Sequence, residues 1–237
     1  MKKFLIILLS VFSLALAELP SGARYLIICP DSFQPHLEEF AHWKTSKGYL
    51  CKIATLTETG SSYTNIRNYI ANAYNTWDPQ PEYVLLAGGI NYIPMPYAGW
   101  TMYGNFNSDW DYSDITENLI NEISIGRLPA LNASQLEIML KKIMRYETDP
   151  ESGDWLSKGT TIVGRDMDSS DSIYFANADS AHSAMIANGY TRIDTLVSNS
   201  HSRSHIINAV DEGRSILLYR GSSTVNWSPP FDISTSD

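Results

Sequence analysis

"RYLIICPDSFQPHLEEFAHWKTSKGYLCKIATL", Arg24 to Leu56, reads as strand, helix, strand. Residues 24–31 form an apolar, β-branched run without alternation, the pattern of a strand covered on both faces. Leu37, Phe40 and Trp43 then recur at helical spacing, and Gly48 closes the helix. Residues 49–56 supply the second strand. Two strands joined by a helical crossover pair in parallel, because the helix carries the chain back along the sheet before the next strand starts.

The same alternation continues outward. "SYTNIRNYIANAYNTW" (62–77) is a helix with Ile66, Ile70 and Tyr74 on one face, and "EYVLLAGG" (82–89) is a third strand. "EISIGRLPA" (122–130) is a fourth, and Asn132 with Gln135 three residues on opens a helix through Tyr146. After the polar break "ETDPESGDW" (147–155) come strand 158–166, helix 172–189 closed by Gly189, strand 191–197, helix 204–213 and strand 214–221. The expected fold class is α/β, with two tandem α/β/α units and mainly parallel sheets. The first unit spans 18–150. The second spans 151–237 and has three strands, so it reads as incomplete, either a small domain or the front of something longer.

The chain opens with "MKKFLIILLSVFSLALAELP": two lysines, an apolar run from Phe4 to Leu16, and Ala15-Leu16-Ala17 as a small-x-small cleavage site. Residues 1–17 are therefore expected to be an export signal, which makes the protein exported: extracellular, periplasmic or at the cell surface. Removing it moves the net charge from −9 to about −11. That balance argues against nucleic acid or an anionic membrane as partner, since both need a basic face. No later segment is apolar over the ~20 residues that a span requires. Two cysteines in an exported chain of this size do not make a disulfide scaffold. Cys29 at the end of one strand and Cys51 at the start of its parallel neighbour are expected to be free and buried.

Ligands of open parallel sheets bind beyond the C-terminal strand ends. None of those loops carries a phosphate-binding glycine signature. Gly88-Gly89 reads as a tight turn. Asp109, Asp111 and Asp114, with Glu117, cluster in "SDWDYSDITE", where carboxylates must be either solvated or bridged by a hard cation such as calcium. Asp166, Asp168 and Asp171 form a second acidic loop, fit to receive a cationic substrate side chain or to cap the next helix. His201 and His205 share a helical spacing, but Arg203 between them disfavours a metal.

Several stretches together resemble the gingipain family of secreted cysteine peptidases: "RYLIICPDSFQPHLEEFAHWKTSKGY", "EYVLLAGGINYIP", "SDWDYSD…NEISIGRLPA", "ANGYTRIDTL" and "INAVDEGRSILLYRGSSTVNW". The resemblance implies a caspase-like architecture of two subdomains, a peptide or protein substrate, no required cofactor, and catalysis in the second subdomain. It also implies a histidine in a Gly-His-Gly-Ser turn after the strand "SILLY", and a nucleophilic cysteine after the following strand. Here that turn is degenerate. Gly221, Ser222 and Ser223 stand where the histidine is expected, and the cysteine position falls beyond Asp237. Gly89 stands where the family usually has an aspartate. Two functions follow: an endopeptidase domain inactive by itself, or a non-catalytic scaffold that binds peptides or surface partners. Oligomeric state is left open.

Overall fold

The computed structural model describes residues 21–101, 104–222, 227 and 229–233. The export signal expected at 1–17 lies outside the described residues. The chain divides into two compact units, Met1–Asp149 and Pro150–Asp237.

The first unit holds a four-stranded sheet in the order β2-β1-β3-β6, with every neighbouring pair parallel. Its strands are β1 (Tyr25–Cys29), β2 (Cys51–Thr55), β3 (Tyr83–Ala87) and β6 (Ser124–Leu128). They are linked through α1 (Gln34–Ser46), the short α2 (Leu56–Thr59) and α3 (Tyr63–Thr76), and α4 (Ala133–Thr148) follows β6.

The unbroken apolar run of β1 has a direct cause. Successive side chains of a strand point to opposite faces, and both faces are covered. Leu26 and Ile28 pack with Ile66, Ile70 and Ala73 of α3, whereas Ile27 and Cys29 pack with Leu37 and Phe40 of α1 and Leu136 and Leu140 of α4. Trp43, expected in that helical stripe, is only half-buried and donates its indole N–H to Glu147 at 2.8 Å.

Local signals end the helices as their residues require. Asn132 caps α4 by accepting the Gln135 N–H at 3.0 Å, and the Gln135 side chain reaches back to the Leu131 N–H at 2.8 Å. Gly48 (φ 94°) and Gly189 (φ 85°) take the left-handed conformation just past α1 and just past the helix that ends at Ala187, a place where a Cβ is costly.

One element lies outside the sequence expectation. Tyr97–Thr101 (β4) and Gly104–Asn107 (β5) form a separate antiparallel hairpin between β3 and β6. The segment is rich in Gly and Asn and has no apolar periodicity to announce it.

The second unit is a parallel sheet in the order β8-β7-β9, with β7 (Lys158–Val163) central, β8 (Arg192–Val197) and β9 (Ile216–Arg220) at its sides, and helices α5 (Asp171–Ala187) and α6 (Arg203–Asp211). Ile162, Leu196, Ile206 and Phe231 form its buried cluster, with Leu217, Tyr219 and Trp227 packed against it. This core is small, and β7 also buries two threonines, Thr160 and Thr161.

The register opposes Tyr25 to Cys51 and Cys29 to Thr55. The two cysteines are thus four rungs apart, about 13 Å at the strand rise, against the ~7 Å limit for a bridge. Both are free, Cys29 buried and Cys51 half-buried.

Ile28 has no solvent-exposed area. Ile28→Ala is expected to lower unfolding free energy by about 2–5 kcal/mol. In a urea titration the midpoint should fall while the slope stays constant.

Candidate functional site

In each unit the parallel strands deliver their C-terminal ends to one rim, where backbone direction changes and polar groups are free to converge. In the second unit the rim is built by the loops after β7, β8 and β9. The β7 exit is Gly164-Arg165-Asp166. The Arg165 N–H donates to Ser198 Oγ, just past β8, at 2.9 Å, and the Gly164 N–H donates to the Arg220 carbonyl at 2.8 Å. These two bonds extend the sheet by one rung and lock the loop to both neighbours.

The acidic loop is organised residue by residue. Asp171, at the start of α5, accepts the Asp166 N–H at 2.8 Å and the Arg165 Nε–H at 2.9 Å. Burial alone would push its carboxyl up, but the Asp166 amide and the Arg165 guanidinium outweigh burial and hold it below its ordinary value. Asp168 turns inward on Ser170, accepting its N–H at 2.7 Å and its hydroxyl. Asp166 Oδ2 accepts the Tyr174 hydroxyl at 3.1 Å and the Ser222 hydroxyl. So Asp168 and Asp171 serve the loop itself, while Asp166 faces the turn after β9.

That turn is packed by aromatic rings. The Tyr219 hydroxyl donates to the Ser222 carbonyl at 2.7 Å, and its ring stacks on Trp227 with centroids 4.3 Å apart and planes 10° apart. A Cβ added at Gly164 would lie 2.5 Å from the Tyr219 hydroxyl oxygen, and one added at Gly221 only 2.8 Å from the Gly164 carbonyl oxygen. Both glycines are therefore required by close approach. Ser222 is exposed, and Ser223 lies outside the described residues.

His182 lies within α5, and the two histidines at the start of α6 stand at another strand end. β8 and β9 flank β7, so the His201 loop and the Gly221 turn leave strands about 10 Å apart. His201 Nδ1 accepts the Val197 N–H at 3.0 Å, and His205 Nδ1 accepts the Ser202 N–H at 3.1 Å as part of the α6 cap. Their rings meet edge to face at 5.1 Å. Both line a groove of about 500 Å³ along β8 and α6.

In the first unit the rim is closed by Arg127 of β6. Its guanidinium holds both Asp109 oxygens, at 2.8 and 2.7 Å, and donates to the Gly88 and Ile93 carbonyls at 2.8 and 2.9 Å. The Gly88 and Gly89 amides bond the Leu128 and Ala130 carbonyls, both at 2.9 Å, so the two glycines form a stitched turn. A Cβ at Gly89 would fall 2.8 Å from Asn91 Oδ1 and 3.0 Å from Leu131 Cδ2.

The acidic residues considered for a cation are engaged by the protein. Asp114, 3% exposed, accepts the Asn118 and Leu119 amides at 3.1 and 3.2 Å. Asp111 lies 3.8 Å from Arg67, and its carboxyl is pushed up by burial and by the Asp114 and Glu117 charges. Among the described residues no three His, Cys, Asp or Glu side chains converge where a metal ion would sit. Arg67 and Arg127, distant in sequence, answer part of the loop's charge, while Glu117 remains exposed to solvent.

Comparison with known proteins places this architecture. The model of peptidase family C25 matches residues 18–236. The chain belongs to peptidase family C25.

Gingipain R2 of Porphyromonas gingivalis strain W83 is 25% identical over 149 residues, 61% of this chain and 20% of the relative. Gingipain R1 of the same species is 24% identical over 149 residues and 14% of its own length. The chain thus spans a fifth or less of these relatives. The solved complex of the pro- and mature domains of RgpB from Porphyromonas gingivalis superposes with a TM-score of 0.80 at 21% identity, covering 90% of this chain and 51% of that one. The Arg-specific cysteine proteinase gingipain R gives 0.78 at 22% identity, covering 91% and 50%. The C25 chain is thus a cysteine-peptidase-like domain with the gingipain fold.

Sequence reasoning located the rim and its glycines but missed Arg127, Tyr174 and Arg220. The "GRLPA" motif carried Arg127 in plain view, yet nothing local reveals that its partner is Asp109. Two expectations follow from these contacts. Arg127→Ala leaves Asp109 and two carbonyls unpaired and should cost about 3–5 kcal/mol, measured by denaturant titration. Because the Asp171 value is lowered on folding, its contribution is complete above the unfolded value near 3.9 and disappears as pH falls through the folded one. Asp171→Asn should therefore flatten the stability profile below about pH 4.

Proposed function

We propose that this C25 chain is an exported, gingipain-like peptidase domain that binds peptides along the rim of its second unit and by itself does not cleave them. The observation that carries this reading is the turn after β9. In C25-type chemistry an imidazole there would help form a thiolate and protonate the leaving amine. Gly221 and Ser222 occupy that position, and Tyr219 stacked on Trp227 fills the space above the glycines. The Ser222 hydroxyl donates to Asp166, a carboxylate where that chemistry uses an imidazole.

The thiols support the same reading. Burial pushes Cys29 up to about 12, with the Asp31 charge adding to it, and burial pushes Cys51 up to about 12 against the opposing Lys44 charge. Neither is a thiolate near neutral pH, and among the described residues no imidazole is bonded to either: His36 is held by Glu137 at 2.8 Å. The Met1–Ala17 segment supports export, and among the described residues no helix is long and apolar enough to cross a membrane.

What persists is a surface for peptide. Among the described residues Asp166 keeps one carboxylate oxygen uncommitted, the acceptor best placed in the acidic loop for a substrate N–H or a basic side chain. Calcium plays no part in this reading.

The purified mature chain is expected to release no product from fluorogenic peptides carrying Arg, Lys or Leu at the scissile position. Hydrolysis abolished by iodoacetamide would refute the proposal, as would native-state alkylation of Cys29 at pH 7.5 in intact-mass measurements.

A further inference from the structure

Arg220 ends β9 at the rim of the second unit, on the face of the sheet that α5 covers. Its guanidinium carbon lies over the Tyr174 ring, 5.5 Å from the centroid. Its Nε is buried and has no hydrogen-bond partner among the described residues. Native proteins seldom leave such a donor unsatisfied, and each case calls for a reason.

The other paired arginines of this unit set the contrast. Arg165 meets Asp171 at 2.9 Å, Arg192 meets Asp194 and Glu212 at 3.3 and 3.1 Å, and Arg214 meets Asp194 and Glu212 at 2.5 and 3.1 Å. Arg220 has the Tyr174 ring and, among the described residues, no carboxylate. Asp166 does not take that role: no hydrogen bond or ion pair joins it to Arg220 among the described residues, and its Oδ2 accepts from Tyr174 and Ser222 instead.

A guanidinium resting on a ring face keeps its in-plane N–H groups free at its edge, where they match the two oxygens of a carboxylate. The stacking restricts the side chain beforehand, so less rotamer entropy is lost when an anion arrives. A phosphate or sulfate would fit the charge equally, but the fold is that of a peptidase domain, and the anion that peptides carry is the carboxylate.

We propose that Arg220, set on Tyr174, is a carboxylate subsite of the rim, selecting peptides with an acidic side chain or a free C-terminus. This rests on the peptide-binding reading above and adds a preference to it. It places an anion-seeking group beside Asp166, so the rim presents both signs of charge and is not built for a basic side chain alone.

The test is titration calorimetry of the mature chain with three peptides: Ac-Ala-Glu-Ala-NH2, Ac-Ala-Gln-Ala-NH2 and Ac-Ala-Gln-Ala-OH. At least one carboxylate-bearing peptide should bind about tenfold more tightly than the neutral one, the worth of one charged hydrogen-bonded pair. Which of the two gains tells a side-chain subsite from one for the C-terminus. Arg220→Gln should erase the difference, and Arg220→Lys should keep a smaller one.

If Arg220→Gln loses its native near-UV dichroism, the lysine variant and the salt response of the native chain decide. A preference unchanged at about 0.5 M salt, or equal in Arg220→Lys, overturns the subsite. So does a preference that survives in folded Arg220→Gln. Equal binding of all three peptides defeats the subsite and leaves the peptide-binding reading standing. Absence of binding by any of them defeats both.

Discussion

Parallel pairing about one central strand governs both units. When β1 pairs with β2 and β3, or β7 with β8 and β9, every chain segment between strands must cross a face of the sheet, and every strand must end at the same edge. The first consequence sets composition: central strands carry apolar groups on both sides, as Leu26 to Cys29 do. The second sets function, since all loops that can hold chemistry are gathered on one rim.

The two units treat their rims differently. In the first, one guanidinium ties the exit of β3 to the turn that carries Asp109, and the residues there are spent on holding the loops in place. In the second, one backbone bond joins the exit of β7 to the end of β9, yet among the described residues Asp166 has an oxygen and Arg220 an Nε–H without a hydrogen-bond partner. One rim is a structural closure. The other keeps polar groups that its own described residues leave unspent, the kind of group that fixes a ligand's orientation.

Most of the architecture was legible in the chain because its signals are local. Strand runs, helical spacing at Ile66 and Ile70, the Asn132 cap and the stops at Gly48 and Gly189 each depend on a few adjacent residues. The β4–β5 hairpin was hidden because it lacks an apolar stripe. The acidic clusters were legible as composition but not as structure: whether Asp109 meets a cation, water or Arg127 is decided by a residue 18 positions away. The rim was readable as a place, and Gly221-Ser222-Ser223 as a turn on it, because turn chemistry is local too. That Tyr219 folds over that bend, and that Tyr174 supports Arg220, depends on packing that no spacing rule encodes.

The stacked pair at that bend has a practical consequence of its own. Two chromophores stacked nearly parallel with centroids 4.3 Å apart couple optically, and they couple only while the stack holds. The protein thus carries a native spectroscopic label on the loop of greatest interest, and the exciton signal of Tyr219 with Trp227 reports its geometry without any dye.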